Sequence, residues 1–386
     1  MILAIVALVP THVIVVGRAA PDASWTDAPT EARTTDHAEL AVVAIARDGD
    51  RTVVLADDDV APLVIRGRTI AARERRAWPL GASVRWSTIE PFAWHQPGEV
   101  VSNGNTADYH SNVSTEPKDF GRWLGYDQLR YFATTIADFG AARTIAATIT
   151  PHDTGASAVD GAGTIFYQAT VRFSDNSELS SPGAEAVDEG GIQRSVHRVS
   201  LRLADDFLGR LSAYLLVPEV FGSAGGGASN QTDRYTGADC ADVMVGALRA
   251  EGHREIQYTN VAGLPALTRV IAKPTILDDQ GNPATPITGV ARGDLIRIDY
   301  GGDYANMTPR DWDHVAALWE DRSDPDGPAH GGPDGQLDGF DLVIHMGHPR
   351  LVIEPLANQA PATVDVLRWR AKAAATSRPA RARTSR

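Results

Sequence analysis

The sequence predicts an α+β protein, in which a β-rich N-terminal region precedes a domain that combines helices with an antiparallel sheet. Its 35 Gly and 23 Pro in 386 residues indicate many turns, which favours β-heavy or α+β architecture over a helical bundle. Short apolar runs separated by turn residues fill residues 38–200, and the pattern changes to helical spacing near residue 203. A composition of 43% apolar and 22% charged residues is typical of a soluble globular protein.

The first 37 residues are interpreted as a leader followed by a linker. An apolar run from Met1 to Val16 resembles the hydrophobic part of a secretory signal, although no positive charge precedes it, and Ala20 or Ala23 would supply a cleavage site. Residues 21–37 are polar and rich in Pro, Ala and Thr, which is typical of a linker. We therefore predict a secreted or periplasmic protein without a membrane span after leader removal; the alternative is that the apolar run is a buried strand.

Residues 38–200 are predicted to form one or two small β domains, sandwich-like or barrel-like. The runs at 40–46 and 53–56 are separated by Asp-Gly-Asp, and residues 165–173 alternate between apolar and mostly polar side chains, the period of a half-buried strand. Residues 92–120 are rich in Asn, Ser, His and Gly and are predicted to form long loops. Nothing in this region indicates catalysis.

Charge restricts the partners of the folded protein. The formal net charge of −13 argues against a nucleic-acid partner, because binding to phosphates requires a basic surface. Residues 371–386 differ, since they contain basic but no acidic side chains, and they are predicted to be a disordered tail. The alternative for this tail is contact with an anionic polymer. The oligomeric state is not predicted.

Cys240 is the only cysteine, so an intramolecular disulfide is excluded and the residue is either a small buried hydrophobe or a reactive thiol. The residues after it have helical apolar spacing up to Gly252, a typical C-terminal cap. Cys240 is therefore predicted at a helix N-terminus. There, unpaired backbone N–H groups and the helix dipole should lower the pKa of the thiol and stabilise an oxyanion.

A cysteine nucleophile needs a base, and His314 is the candidate. Residues 292–298 are predicted as a turn that enters a strand, and after a loop a second apolar strand starts at His314. A third strand ends near His345, which is predicted to orient the base. Asp313, Asp341 or a backbone carbonyl are the alternatives for that orienting role.

The order of these motifs, Asp-Cys before a helix, Gly-Asp-Leu in a strand and His-Val at the start of the next strand, resembles the NlpC-like family of papain-fold cell-wall peptidases. The resemblance covers residues 203–370 and implies a papain-like cysteine peptidase domain there. It also implies that Cys240 is the nucleophile, His314 the base and His345 the orienting residue.

The same resemblance implies a peptidoglycan peptide as the substrate and no required cofactor, with Tyr235 and Asp239 in contact with the substrate. The chain departs from the family pattern in two places: Ala-Asp follows Cys240 where the family has Ser-Gly, and the loop at 320–339 is longer. The helix that starts at Cys240 also resembles the nucleophile helix of transglutaminase-like proteins, although the Gly-Asp-Leu strand fits the NlpC-like order better.

Two metal sites are considered. Asp334, Asp338 and Asp341 match the later positions of a calcium-binding loop, so a structural calcium ion is one interpretation and an acidic surface insertion is the other. Zinc bound by His345 and His348 is disfavoured, because positions three apart on a strand point to opposite faces.

The predicted function is a cysteine hydrolase that cleaves amide bonds in cell-wall peptides through a Cys–His dyad or triad. Two alternatives stay open. One is a non-enzymatic wall-binding or surface-binding protein whose N-terminal region carries the function. The other is an enzyme that transfers amide or acyl groups on a substrate outside the wall.

Overall fold

The protein is built mainly from β-sheets. Its structure is a computed structural model that describes residues 8, 10–92, 110–151, 159–225, 230–301 and 312–370. The start of the predicted leader, most of the predicted loop region 92–120 and the whole basic tail at 371–386 lie outside the described residues.

The N-terminal part contains two large sheets and a small hairpin. The first sheet has the strand order β7-β6-β2-β1-β4-β5-β8 with β11 beside β4, the second has β10-β9-β12-β16-β3 with β13 beside β12, and β14 pairs with β15. The strands are β1 (Pro10–Arg18), β2 (Trp25–Thr26), β3 (Thr30–Arg33), β4 (Glu39–Asp48), β5 (Arg51–Ala56), β6 (Leu63–Ile65), β7 (Arg68–Thr69), β8 (Arg75–Ala77), β9 (Ser83–Pro91), β10 (Tyr131–Ala141), β11 (Thr144–Ala146), β12 (Gly163–Arg172), β13 (Glu178–Ser180), β14 (Val187–Asp188), β15 (Gly191–Ile192) and β16 (His197–Arg202).

Alternation along the strands produces the core between the two large sheets. Ile165 and Tyr167 on β12 point into the same buried cluster as Leu40 on β4, whereas Phe166 belongs to a separate cluster on the other face of its sheet. The strand predicted from the alternation at 165–173 is thereby confirmed. The turn between β4 and β5 is made by Gly49, whose φ of 59° is accessible to glycine without a steric penalty.

Strand β1 comes from the segment that was interpreted as a leader. It pairs with β4 from Pro10 opposite Ala46 to Arg18 opposite Glu39. Val15 faces the core between the sheets and Val16 faces a second core on the other side, so the strand is buried on both faces. Such a strand has a continuous apolar run, which by sequence alone looks like a secretory signal.

The segment at 21–37 is part of the sheets and is not a free linker. Trp25 on β2 is buried, and β3 runs parallel to β16 with Val199 opposite Thr30. The predicted boundary at residue 38 therefore does not separate two structural units, because each of the two large sheets contains strands from before and after this residue.

The C-terminal part places one helix on an antiparallel sheet with the order β17-β22-β18-β19-β20-β21. Among the described residues, no helix is long and apolar enough to cross a lipid bilayer. The elements are α1 (Phe207–Ser212), α2 (Gln231–Arg234), α3 (Cys240–Glu251), β17 (Thr268–Leu277), β18 (Leu295–Asp299), β19 (His314–Glu320), β20 (Leu342–Met346), β21 (Leu351–Pro355) and β22 (Ala362–Trp369).

Period-two alternation gives this sheet two apolar faces. Val315 and Ile344 share a buried cluster with Ala247 of α3, whereas Ala316 and Val343 contribute to a separate cluster on the opposite face. A loop-rich segment before β18 and the turn after β21 cover that second face, since Ile287 and Leu356 belong to the same cluster.

The predicted fold class, α+β with a papain-like domain, is wrong. Strands account for 42% of the residues that the structure describes and helices for 12%, and the sheets include a half-barrel, so this part of the chain is mostly β. The helical spacing near residues 205–216 produces only the six residues of α1, and residues 261–266 form a 3₁₀ turn. The α-helices of the described residues therefore all lie between Phe207 and Glu251, and most apolar segments satisfy their backbone groups by pairing as strands.

Deleting residues 1–23, so that the chain begins at Ser24, removes β1 and is expected to destabilise the fold. Burial of Val13, Val15 and Val16 alone corresponds to about 5 kcal/mol of unfolding free energy. Thermal and urea unfolding monitored by circular dichroism would measure the change, with a chain that begins at Leu8 and keeps β1 as the control. Equal stability of the two shortened chains would contradict the role of β1 and favour a leader that is cleaved after Ala20 or Ala23.

Candidate active site

The only cysteine of the chain is the first residue of helix α3. Asp239 caps the helix: its backbone is extended and its side chain accepts a hydrogen bond from the Asp242 backbone N–H at 2.8 Å. Gly252, with a φ of 129°, ends the helix. The helix predicted from Cys240 to Gly252 is confirmed, and Cys240 itself is half-buried.

A loop behind the helix start is attached to two buried carboxylates. The Gly222 backbone N–H donates to Asp239 Oδ2 at 3.0 Å, and the Ala224 N–H and the Ser223 hydroxyl donate to Asp242 Oδ2 at 2.7 and 2.8 Å. Burial raises the pKa of Asp239, and burial together with Asp239 raises the pKa of Asp242 well above its usual range. Asp239 was predicted to contact substrate; its observed contacts cap α3 and hold this loop.

The predicted low pKa of the cysteine thiol is wrong. Burial raises the pKa of Cys240 well above its ordinary value, and the charges of Asp239, Asp242 and Glu219 add to the rise. The backbone N–H of Val315, directed at the sulfur, acts in the opposite direction but is outweighed. Helix N-terminal groups favour a thiolate, yet desolvation and neighbouring carboxylates are the larger effect at this position.

The two predicted histidines are in contact. His314 is the first residue of β19, and His345 on β20 lies opposite Ala316. Since residues two apart on a strand share a face, the imidazoles meet: His314 Nε2 is 2.9 Å from His345 Nδ1, and the rings are nearly perpendicular. Burial and the neighbouring His345 lower the pKa of His314 well below the ordinary histidine value.

The backbone before His314 is held by a buried ion pair and a stacked ring. Trp312 has a φ of 59° and lies over the Arg297 guanidinium at 4.1 Å, and Arg297 Nε donates to Asp365 Oδ1 at 3.0 Å. Asp313 accepts a hydrogen bond from the Tyr300 backbone N–H at 2.9 Å. These contacts determine where β19 begins and hence the position of its first side chain.

Cys240 and His314 lie at the same end of β19. Val315, the residue after His314, belongs to the core cluster against which Cys240 packs. The His314 side chain shares the face of Ala316 instead, so the thiol and the imidazole approach the start of β19 from opposite faces of the strand. Within the described ranges, no hydrogen bond joins the thiol to the imidazole. His345 engages Nε2 of His314, and Nδ1 is the other ring nitrogen. Contacts between catalytic groups often tighten only when substrate binds.

Sequence reasoning missed Glu354. Its Oε1 is 2.9 Å from His345 Nε2, and its carboxylate also accepts hydrogen bonds from Asn358 Nδ2 at 2.8 Å and Gln359 Nε2 at 2.6 Å. On β21, Val352 lies opposite His345, so Glu354, two residues further on, shares that face. A local signal could have found it: the apolar residues 351–353, after the turn at residues 347–350, indicate a further strand that pairs with the strand of His345.

Tyr235, the other predicted substrate contact, lies in the core. Its backbone is left-handed with a φ of 60°, and its ring stacks on Tyr214 with the centroids 4.3 Å apart. The Arg198 guanidinium also lies against this ring, at 4.3 Å. The structure does not bring Tyr235 to the histidine pair.

The predicted calcium ligands form loop caps. Asp338 accepts from the Phe340 backbone N–H at 2.8 Å, Asp334 from the Gln336 N–H at 2.9 Å, and Asp341 from the Arg322 N–H at 2.8 Å. In the part of the chain that the structure describes, no group of three or more His, Cys, Asp or Glu side chains is arranged to hold a metal ion. Asp341, an alternative orienter of the base, thus serves this loop.

A cavity of about 600 Å³ lies near the C-terminal end of α3, lined by residues that include Leu248, Tyr258 and Trp369. Cys240 is at the opposite end of the helix. This cavity is therefore separate from the group formed by Cys240 and the two histidines.

Comparison of the chain with protein-family models, curated proteins and solved structures gives no match. Function is therefore inferred from the residues and their geometry.

Replacing Glu219 by Gln should lower the pKa of the Cys240 thiol, because it removes one of the charges that oppose thiolate formation. The pH dependence of alkylation by iodoacetamide measures this directly, since Cys240 is the only thiol. Glu255→Gln, at the other end of α3, is the matched control and should leave the pH dependence unchanged. An unchanged profile in the Glu219 variant would contradict the electrostatic contribution of this residue.

Proposed function

We propose that this protein is a cysteine hydrolase that cleaves amide bonds in cell-wall peptides. One observation supports the proposal. The single cysteine is the first residue of helix α3, and this end of the helix lies at the start of β19. His314, the first residue of β19, is paired with a second buried histidine, His345. A nucleophile, a base and a residue that orients the base are the groups that a catalytic triad uses for acyl transfer.

The pKa shifts favour an attack in which the thiol and the imidazole both start neutral. A raised thiol pKa and a lowered imidazole pKa disfavour the thiolate–imidazolium pair in the free protein. In the proposed mechanism, His314 Nδ1 accepts the thiol proton as Sγ attacks the amide carbonyl carbon. The Cys240 backbone N–H is the donor at the start of α3 that would stabilise the oxyanion, because the Asp242 N–H is engaged by the Asp239 cap.

Collapse of the tetrahedral intermediate breaks the C–N bond, and His314 donates its proton to the leaving amine. A thioester between Cys240 and the acyl group remains. His314 then takes a proton from water as the water oxygen attacks the thioester, which releases the carboxylic acid and restores the thiol. His345 orients the His314 ring during both steps.

The substrate class rests on the resemblance to NlpC-like peptidases alone, through the Asp-Cys, Gly-Asp-Leu and His-Val motifs. Export also stays a prediction, and β1 makes it a testable one. The mechanism proposed for Cys240 and His314 uses protein groups and water only.

Cys240→Ala should abolish the release of fragments from purified peptidoglycan peptides, because the acyl acceptor is lost. Mass spectrometry of the products is the measurement, and His253→Ala, a change at the far end of α3, is the control that should retain activity. Turnover by the alanine variant equal to that of the unmodified protein would refute the nucleophile. No fragments from either protein would favour a binding protein, and products with new amide bonds would indicate acyl transfer.

The pH profile of kcat/KM should show a broad plateau between about 6.5 and 9, the ordinary values for His and Cys. Because the imidazole pKa is lowered, protonation of His314 should reduce activity only below a pH of about 6.5. A raised thiol pKa moves its deprotonation above the second value. Initial rates on a wall peptide across this range test the expectation, and a bell-shaped profile with a limb inside it would contradict the neutral pair.

A further inference from the structure

Glu354 is a polar side chain beside the candidate dyad that the proposed mechanism does not yet use. It is the third member of a row that crosses three adjacent strands, from His314 on β19 through His345 on β20 to β21. Its carboxylate is partly buried, with 28% of the side chain exposed, and His345 is almost fully buried. A carboxylate in this position restricts where the protons of both imidazoles lie.

We propose that Glu354 is a positioning residue that sets the tautomers of both histidines and thereby makes His314 Nδ1 the catalytic base. This inference rests on the proposed function of Cys240 and His314. Its structural part concerns proton positions only and is testable without any substrate.

The hydrogen-bond pattern determines each proton in turn. An ionised carboxylate only accepts hydrogen bonds, so the 2.9 Å contact between Glu354 Oε1 and His345 Nε2 places a proton on that nitrogen. With one proton on the ring, His345 Nδ1 is an acceptor. The 2.9 Å contact to His314 then requires the proton on His314 Nε2, which leaves His314 Nδ1 with a free lone pair.

The surroundings of Glu354 support the ionised form. The hydrogen bond from His345 lowers the pKa of this carboxyl group, and Asn358 and Gln359 add further hydrogen bonds to it. Gln359 Nε2 also lies 3.2 Å from His345 Nε2, but both atoms are donors, so its proton goes to Glu354 Oε1 at 2.6 Å. The Tyr300 hydroxyl donates to Gln359 Oε1 and so sets the orientation of the amide.

Without the carboxylate, nothing in this row selects the Nε2–H form of His345. A proton on His345 Nδ1 would be donated to His314 Nε2 and would move the His314 proton to Nδ1, where it blocks acceptance of the thiol proton. A catalytic histidine held in the wrong tautomer costs a serine protease about 10⁴ in kcat. A mixture of tautomers should cost less, about 10- to 100-fold.

The test compares Glu354→Leu, which removes the acceptor, with Glu354→Gln, which keeps a carbonyl acceptor without the charge. Glu320→Gln is the matched control, because Glu320 ends β19 and pairs with Arg322, away from both histidines. Nitrogen-15 NMR of the imidazoles reports the tautomers, steady-state kinetics separates kcat from KM, and thermal unfolding reports the fold.

In the unmodified protein and in Glu320→Gln, we expect both histidines protonated on Nε2. In Glu354→Leu, the ring nitrogens should indicate mixed tautomers and kcat should fall about 10- to 100-fold with KM unchanged. Glu354→Gln should restore the Nε2–H forms and most of kcat. The role of Glu354 would be overturned if both histidines stayed protonated on Nε2 in Glu354→Leu. A proton on His345 Nδ1 in the unmodified protein would overturn it as well.

These outcomes separate the two proposals. Hydrolysis that requires Cys240 but is unaffected by Glu354→Leu removes Glu354 and keeps the proposed function. If the histidine tautomers change in Glu354→Leu but the unmodified protein hydrolyses no wall peptide, the positioning role of Glu354 is supported and the proposed function is refuted. If Glu354→Leu does not fold, the imidazole signals of the unmodified protein and of Glu354→Gln still decide.

Discussion

Antiparallel pairing of β19, β20 and β21 is the constraint on which the candidate site depends. The register puts His345 opposite Ala316 and Val352, so side chains two residues away on the neighbouring strands share its face. His314 and Glu354 occupy those positions. A slip of one residue in either pairing would send one of these side chains to the opposite face and break the row.

The start of α3 shows two electrostatic effects in competition. Backbone N–H groups of the helix favour negative charge on Cys240, but the same N–H groups require a cap, and that cap is the carboxylate of Asp239. Asp242 and Glu219 add negative charge, and burial penalises the thiolate. The environment therefore holds the thiol neutral, which makes the base more important to the proposed chemistry than the helix dipole.

The arrangement of the sheets explains why residues far from the site matter to it. The core between α3 and the C-terminal sheet also includes Ala162, adjacent to β12, and Leu215, so the N-terminal sheets are packed against the layer that carries Cys240. Strand β1 is buried on both faces within those sheets. Removal of an N-terminal strand would thus disturb the support of helix α3.

The sequence by itself determined the elements whose signal is local. The spacing of apolar residues and the glycine cap located α3, period-two alternation located β12, and an apolar run located the strand that begins at His314. The sequence did not determine the overall class, because short helical patterns such as that of α1 end after a few residues when the chain around them is paired in sheets. The apolar run that forms β1 was compatible with both a strand and a leader, because burial on both faces removes the alternation that distinguishes the two.

The tertiary structure alone decided which side chains meet. Glu354 joins the histidines through strand register, a long-range property that no local pattern encodes, and the thiol pKa depends on carboxylates that reach Cys240 only in the folded chain. Tyr235 matches a motif in sequence yet packs between Tyr214 and Arg198. Local residue patterns specify hydrogen bonds within the backbone, whereas the charge and solvation of a site depend on groups that are distant in the chain.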